Sequence, residues 1–431
     1  MSDPRRDWIR RMGRRYWPKA ADMVAALPIA PSQRPFADRL ITVALPPFAA
    51  QWGIGEPSAL LVDQSCLADG DGPAHLRCDW WGAAFHHLNA TSQREQERVH
   101  GPIHSYSHGL KDWDCRAAER AWVNRIFLFL RHWAAHAAEV EAEALFGPLP
   151  QARIDLSHDV DYVAKTTALR LKQAALQSFN ALRLAKDGRG GDSLRTLGRG
   201  LHFAVTPADY WCFPAIRALE TAANRRSVFH FYGGEGPKSP RDWLFDPAYD
   251  VKAPRLAAEI ASLAENGWEI GLHQSFAAWA DAASMARQRQ RIEAVTGRPV
   301  TRCRQHWLRF SWEWTWAAQD AAGLRLDTTL CFNDRPGFRN GAALSFHPWD
   351  DARGEELALA ALPTVLMDSH LWDYALLAED QRWTVARHWL DEVFFVHGEA
   401  SVIWHQRVMH PDYGWGGLYA QVVDRAVGGA P

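Results

Sequence analysis

From Arg153 onward the chain alternates short apolar runs with longer stretches whose apolar positions recur every three to four residues. The short runs are "RIDLSHD" (153–159), "SVFHFYGG" (227–234), "EIGLHQS" (269–275), "VTRCRQHW" (300–307), "LRLDTTL" (324–330), "LPTVLMD" (362–368) and "ASVIWHQ" (400–406). Their length and flanking turn residues predict strands. Between them, "APRLAAEIASLAENG" (253–267), with Gly267 suited to a left-handed stop, and "ADAASMARQRQRIEAVTG" (280–297) predict helices. Strand and helix in alternation imply a parallel sheet, and seven strands over about 260 residues favour an α/β barrel, whose strand C-termini carry the chemistry.

Residues 1 to 150 have a different texture. Pro- and Gly-punctuated stretches such as "ALPPFAAQWGIGEPSALL" lead into a predicted amphipathic helix from about Arg116 to Phe146, stopped by "GPLPQ". The expected organisation is a smaller mixed N-terminal domain (1–150) ending in that long helix, followed by the barrel domain (151–431).

Unusual polar residues gather at the predicted strand ends. In "LSHDVD" the carboxylates of Asp159 and Asp161 are two apart and share a face of an extended segment, while His158 is out of phase and expected to pack behind it. Two carboxylates that close repel unless a cation is present, which suits one as a metal ligand and the other as a general base. A strand-end turn cap is the bland alternative. His273 ends "EIGLH", Arg304 and His306 lie two apart in "RCRQH" with Arg302 in phase, and His405 ends "VIWH" as a candidate general acid. Each alone is weak, since a single His in an apolar strand is more often a hydrogen-bonded core residue; together they converge on one rim. A mixed His and Asp set with open positions suits Zn, Co, Fe or Ni better than Mg or Ca.

Composition narrows the rest. The formal net charge of −2 gives no electrostatic reason to expect nucleic acid or an acidic membrane as partner. Six scattered cysteines without a CxxC pair read as reduced thiols. The arginine-rich start, "MSDPRRDWIRRMGRRYW", lacks the apolar core of a secretory signal and reads as a solvated helix face; no run is long and apolar enough for a transmembrane helix. A cytoplasmic location is therefore expected. The 22 Trp against 9 Tyr allow indole platforms for sugar rings, although core packing accounts for them equally well.

These motifs, in this order, resemble those of the polysaccharide deacetylase superfamily, the NodB-homology or carbohydrate esterase family 4 proteins, over about Arg153 to Gln421. The resemblance implies a distorted (β/α)7 barrel of NodB type. "SHDVD" is similar to the first motif, implying Asp159 as base and Asp161 as metal ligand. "GLHQSFAAW" matches the second at His273, but its partner position four residues on is Ala277, so His306 is the substitute third ligand. The third motif implies that Arg304 orients the base, the fourth that Asp327 in "LRLDTTL" supports Arg304, and the fifth that His405 protonates the leaving amine. Stretches such as "DWWGAAFHHLNATSQREQERVHG" (79–101) and "DRPGFRNG" (334–341) resemble a bacterial subgroup with an extra N-terminal domain. In the latter, Gly337 and Gly341 suggest a tight loop over the site and Arg339 a substrate contact. Asp368 is expected to line the pocket or hold an active-site side chain, and Trp307, Trp372 and Trp404 lie where an indole could stack on a sugar. The implied activity is removal of an N-acetyl group from a sugar or glycan precursor, with zinc the first choice of metal and Co, Ni or Fe the others, and with an acetylated amino sugar rather than nucleic acid as partner. A metal-assisted glycoside hydrolase and an inactive sugar-binding protein are the rival readings, the last supported by Ala277.

Overall fold

The computed structural model describes residues 3–235 and 239–428. Twelve strands occur among them: β1 (Leu40–Ala44), β2 (Ala59–Asp63), β3 (Arg153–Val160), β4 (Val228–Tyr232), β5 (Glu269–Gln274), β6 (Arg302–Gln305), β7 (Leu326–Asp327), β8 (Trp349–Asp350), β9 (Glu355–Glu356), β10 (Ala360–Ala361), β11 (Thr364–Met367) and β12 (Glu399–Ile403). β1–β2 and β8–β9 are small antiparallel pairs. The other eight form one parallel sheet in the order β10-β7-β6-β5-β4-β3-β12-β11.

All seven strands expected from the apolar runs are present, and the two edges of the sheet are halves of one extended segment. Only Leu362 and Pro363 separate β10 from β11. Pro363 has no N–H to contribute, yet its neighbours bridge the gap: Leu362 N–H donates to Asp327 O (2.8 Å), Thr364 N–H to Leu330 O (2.9 Å), and Ser401 N–H to Pro363 O (2.8 Å). Residues 360–367 therefore bond β7 on one side and β12 on the other, and the sheet curls back on itself. The strands are buried along nearly their whole length, as a sheet covered by helices requires.

The first 150 residues are packed deeply against this sheet. Trp8, Tyr16, Phe127 and Phe129 belong to the same buried cluster as Leu366, Leu390 and Val402. Tyr16 Oη donates to Val396 O (2.8 Å), Trp8 Nε1 to His347 O (2.9 Å), and Arg125 clamps Glu392 with two bonds of 2.7 Å. The arginine-rich start is tied to acidic partners: Arg5 to Asp351, Arg6 to Asp79, Arg11 to Glu356 and Arg15 to Glu399. The long helix expected from Arg116 to Phe146 is in fact a 3-10 turn (Cys115–Ala118), a helix over Trp122–Ala137 and a short helix over Ala142–Phe146. The break is a Schellman-type stop, with Glu139 left-handed (φ 55) and Val140 N–H reaching Ala135 O (3.1 Å). The amphipathic period runs through this stop, so the apolar pattern conceals it.

His158 packs behind β3, opposite in phase to Asp159 and Asp161. Its Nδ1 lies 2.6 Å from Trp404 O and its Nε2 2.9 Å from Glu220 Oε1. Glu220, on the helix Phe213–Ala222, also accepts from Tyr419 Oη (2.6 Å), Trp268 Nε1 (2.6 Å) and Ser227 N–H (3.1 Å). One fully buried carboxylate thus satisfies four elements. Removing it strands several buried donors at once, so Glu220→Ala should cost about 3–5 kcal/mol of stability. Urea unfolding checks this; a loss below about 1 kcal/mol would show that the network relaxes without its hub.

Candidate active site and metal centre

The curled sheet brings the strand-end residues together. Asp159 lies within β3 and Asp161 just after it, both buried. Arg304, at 0% exposure on β6, donates Nη1 to Asp159 Oδ1 (2.8 Å), Nη2 to Ser401 Oγ (3.0 Å) and Nε to Thr328 O (3.2 Å). Three strands thus fix its plane. Burial raises the Asp159 pKa, but the Arg304 guanidinium, together with His273, His230 and His405, outweighs it and holds the carboxyl well below the usual range. His230 of β4 completes this side, with Nδ1 3.6 Å from Asp159 Oδ1. Burial first, and then Arg304, push its pKa down, so it stays neutral.

Asp161, His273 and His306 converge opposite. His273 Nε2 lies 3.3 Å and His306 Nδ1 3.4 Å from Asp161 Oδ1, and the two ring nitrogens are 2.8 Å apart. Their other ring nitrogens decide the tautomers. His273 Nδ1 faces Arg304 O (2.8 Å) and His306 Nε2 faces Phe245 O (2.7 Å). A carbonyl can only accept, so each of those nitrogens carries the proton, and a neutral imidazole then turns a bare lone pair to the centre. Among the described residues Asp161 Oδ1 has no hydrogen-bond partner. With both imidazoles neutral, three acceptors face one another with no donor between them, an arrangement that a bound cation relieves. A tetrahedral ion about 2.05 Å from its donors sets neighbouring donors about 3.3 Å apart; two of the three separations match and the third is closer. These residues fit a divalent ion that takes mixed nitrogen and oxygen ligands.

The other oxygen of Asp161 serves different partners. Oδ2 accepts from Arg407 Nη1 and lies 3.5 Å from His405 Nε2. Burial opposes ionisation of Asp161, but Arg407 foremost keeps its pKa far below normal. His405 is anchored by Asp368: His405 N–H donates to Oδ2 (2.6 Å), and Nδ1 lies 2.9 Å from Oδ1. With Nδ1–H committed to this carboxylate, Nε2 is the nitrogen that faces the cleft. Burial disfavours the imidazolium, yet Asp368 more than compensates and the pKa of His405 rises.

His306 reaches the centre because the chain turns sharply behind it. Trp307 (φ 57) and Leu308 (φ 47) are consecutive left-handed residues, a conformation costing about 1–3 kcal/mol at each position. Ser105 Oγ (3.2 Å) and Asn333 Nδ2 (2.8 Å) both donate to Trp307 O. The first 150 residues thus help to hold the turn. Trp307 itself is half-buried at the mouth, where Lys172 Nζ lies 5.5 Å from its ring centre.

Several expected residues stand elsewhere. Asp327 does not support Arg304; it faces away and accepts from Trp316 Nε1 (3.0 Å), Gln319 Nε2 (2.9 Å) and Thr329 Oγ1. The pattern misleads because consecutive side chains alternate faces, and Asp327 falls on the side of the covering helix. Arg339 is no substrate contact: it is buried, bonded to Gln93 Oε1 (3.0 Å) and Cys331 O (3.1 Å), and packed among aromatic rings. Gly337 and Gly341 let their loop press against Ala117, Ala118 and His87, so it does not cover the site. Trp404 is wholly buried beside Trp372 and Tyr419. Arg302 pairs with Asp155 and Glu269 away from the rim, and Ala277 is exposed. Sequence reasoning missed His230 and Arg407. The latter lies two residues beyond His405, the spacing already used for Asp159 and Asp161.

No family model and no curated protein matches the chain. Among solved structures it is similar to that of a candidate polysaccharide deacetylase from Mycobacterium smegmatis, at 15% identity over 64% of this chain and 85% of that one, with a TM-score of 0.37. It is also similar to a polysaccharide deacetylase from Bacillus cereus, at 11% identity over 65% and 87% of the two chains, with a TM-score of 0.29. What this cleft can do is decided by its own geometry.

The lone-pair geometry makes His306 a candidate ligand equal to His273. His306→Ala should weaken zinc binding by at least about a hundredfold, beyond the 10–100-fold typical of losing an outer-shell partner. Competition with a chromophoric chelator measures it, and a change below about threefold would remove His306 from the ligand set.

Proposed function

We propose that the chain is a metal-dependent hydrolase that removes an N-acetyl group from a sugar or glycan precursor. The observation that carries this reading is one rim bearing three converging lone pairs, a carboxylate paired with Arg304, and a histidine whose Nδ1 is held by Asp368. A divalent ion held by Asp161, His273 and His306, zinc by preference, supplies Lewis acidity when bound, polarising an acyl carbonyl and making water more acidic.

The protein's own groups divide the remaining work. Asp159 accepts the proton of the attacking water, with Arg304 fixing its orientation and charge. His230, neutral beside it, adds packing without competing for that proton. An amine is a poor leaving group, so C–N cleavage requires proton delivery to nitrogen. His405 Nε2 faces the cleft with Asp368 behind it and is the group to deliver that proton. Asp161 remains an anion throughout because Arg407 occupies its second oxygen. Trp307 offers an indole at the mouth, suited to the apolar face of a sugar ring.

The glycosidase alternative loses support, since it needs a second free carboxylate about 5–9.5 Å from Asp159. Asp327 is saturated behind the sheet and Asp368 is engaged by His405. The inactive-protein alternative rested on Ala277, and His306 answers that gap.

Two substitutions test the assignment. Asp159→Asn should retain bound metal and lose about 10²–10⁴ in kcat, read as free amine released from an N-acetylated amino sugar; full activity would remove Asp159 as base. His405→Ala should impair the amide similarly but spare an aryl acetate, whose phenolate departs without a proton. Equal losses on both substrates would mean that His405 does not serve as the acid.

A further inference from the structure

Helices Thr167–Lys186 and Gly190–Val205 form an antiparallel hairpin beside the site. A surface helix ordinarily turns its apolar stripe inward, but this hairpin presents one outward. Leu171, Phe179 and Leu182 on the first helix and Leu194, Leu197, Leu201 and Val205 on the second are 44–72% exposed. Their spacings of three, four, seven and eight residues put each set on one face. The opposite side meets the rest of the chain through Leu169 and Phe203, packed with Tyr162 and Tyr210, and through polar bonds: Asn180 Nδ2 to Asp373 O (2.9 Å), Arg183 Nη1 to Tyr374 O (3.2 Å) and Arg189 Nη1 to Leu376 O (3.0 Å).

Charge and position indicate what covers this face. Residues 167–205 hold seven Lys and Arg against two Asp, in a chain whose formal net charge is −2. A cavity of about 300 Å³ beneath the hairpin is lined by Arg189, Arg195, Arg199 and Arg382 together with Asp192, Asp373, Glu379 and Asp412, so the excess of cations belongs to the hairpin's own sequence and not to this cavity. The face also borders the mouth of the site. Lys172, next to Leu171, bonds Tyr162 Oη (3.1 Å) and lies over Trp307. Across the mouth, the helix Pro240–Phe245 exposes Trp243 and Leu244, and the carbonyl of its last residue holds His306. Among the described residues no helix is long and apolar enough to cross a membrane. Apolar residues backed by cations on a hairpin of this kind suit lying in an anionic bilayer surface. A second copy would bring two cationic hairpins together.

We propose that the outer face of this hairpin docks on an anionic lipid bilayer, and that the substrate is an acylated amino sugar carried on a lipid. The surface stands on its own geometry, whereas the substrate class rests on the deacylase reading above.

Flotation of the full chain with vesicles tests the surface. Binding is expected to vesicles of equimolar phosphatidylglycerol and phosphatidylcholine, to weaken with salt, and to be far poorer with phosphatidylcholine alone. Leu194→Ser, Leu197→Ser and Leu201→Ser combined should reduce binding at least about tenfold while leaving turnover of a soluble N-acetylated amino sugar unchanged. Absence of binding to anionic vesicles, or equal binding by the variant, overturns the surface. So does a wild-type dimer in sedimentation equilibrium that the variant dissolves, since the face then belongs to a second copy. Faster amine release from a lipid-linked N-acetylated sugar in those vesicles than from its soluble headgroup supports the substrate class, and equal rates overturn it. No release from either overturns the deacylase reading, and the substrate class with it, while vesicle binding still decides the surface.

Discussion

Two backbone carbonyls, those of Arg304 and Phe245, determine what the centre of this molecule is. By taking the proton-bearing nitrogens of His273 and His306, they leave lone pairs aimed at a bare carboxylate oxygen. A hydrogen-bonded core would place donors against acceptors, and here the backbone enforces the reverse. The arrangement needs the curled sheet, because the two imidazoles arrive from adjacent strands and Asp161 from a third. It also needs the left-handed turn after His306, whose strain is offset by bonds to Trp307 O from Ser105 and Asn333.

The two aspartates of one short motif are told apart by their guanidinium partners. Asp159 is held by Arg304 of β6 through one oxygen. Asp161 has one oxygen turned to the centre and the other tied to Arg407 on the outer rim. Both stay ionised against burial. The difference between these neighbouring carboxylates thus lies in which cation each one meets rather than in their own chemistry.

Much of this was legible in the sequence because strands alternate strictly. The period of two placed Asp159 with Asp161, excluded His158, and put His306 in phase with Arg304. It failed at Asp327, where a two-residue strand leaves too little register to decide which face is inward. The first 150 residues were less readable: their packing against β12 and its flanking helix depends on contacts hundreds of residues apart, for which local pattern carries no signal. Arg339 and Trp404 illustrate a related ambiguity, since an arginine or tryptophan near a strand end serves the core as readily as a ligand. The hairpin was obscured by averaging, because a near-neutral total concealed a cationic segment and exposed leucines read like buried ones.

The segment that supplies both edges of the sheet has a consequence for how the chain is assembled. Residues 360–367 must find β7, some 35 residues earlier, and also β12, which itself pairs with β3 from more than 200 residues back. No half of the barrel can complete its hydrogen bonding before the last strands arrive. Such long-range closure gives high contact order and correspondingly slow folding. During synthesis the early strands would wait with open edges until nearly the whole chain had emerged, exposed to pairing with other molecules.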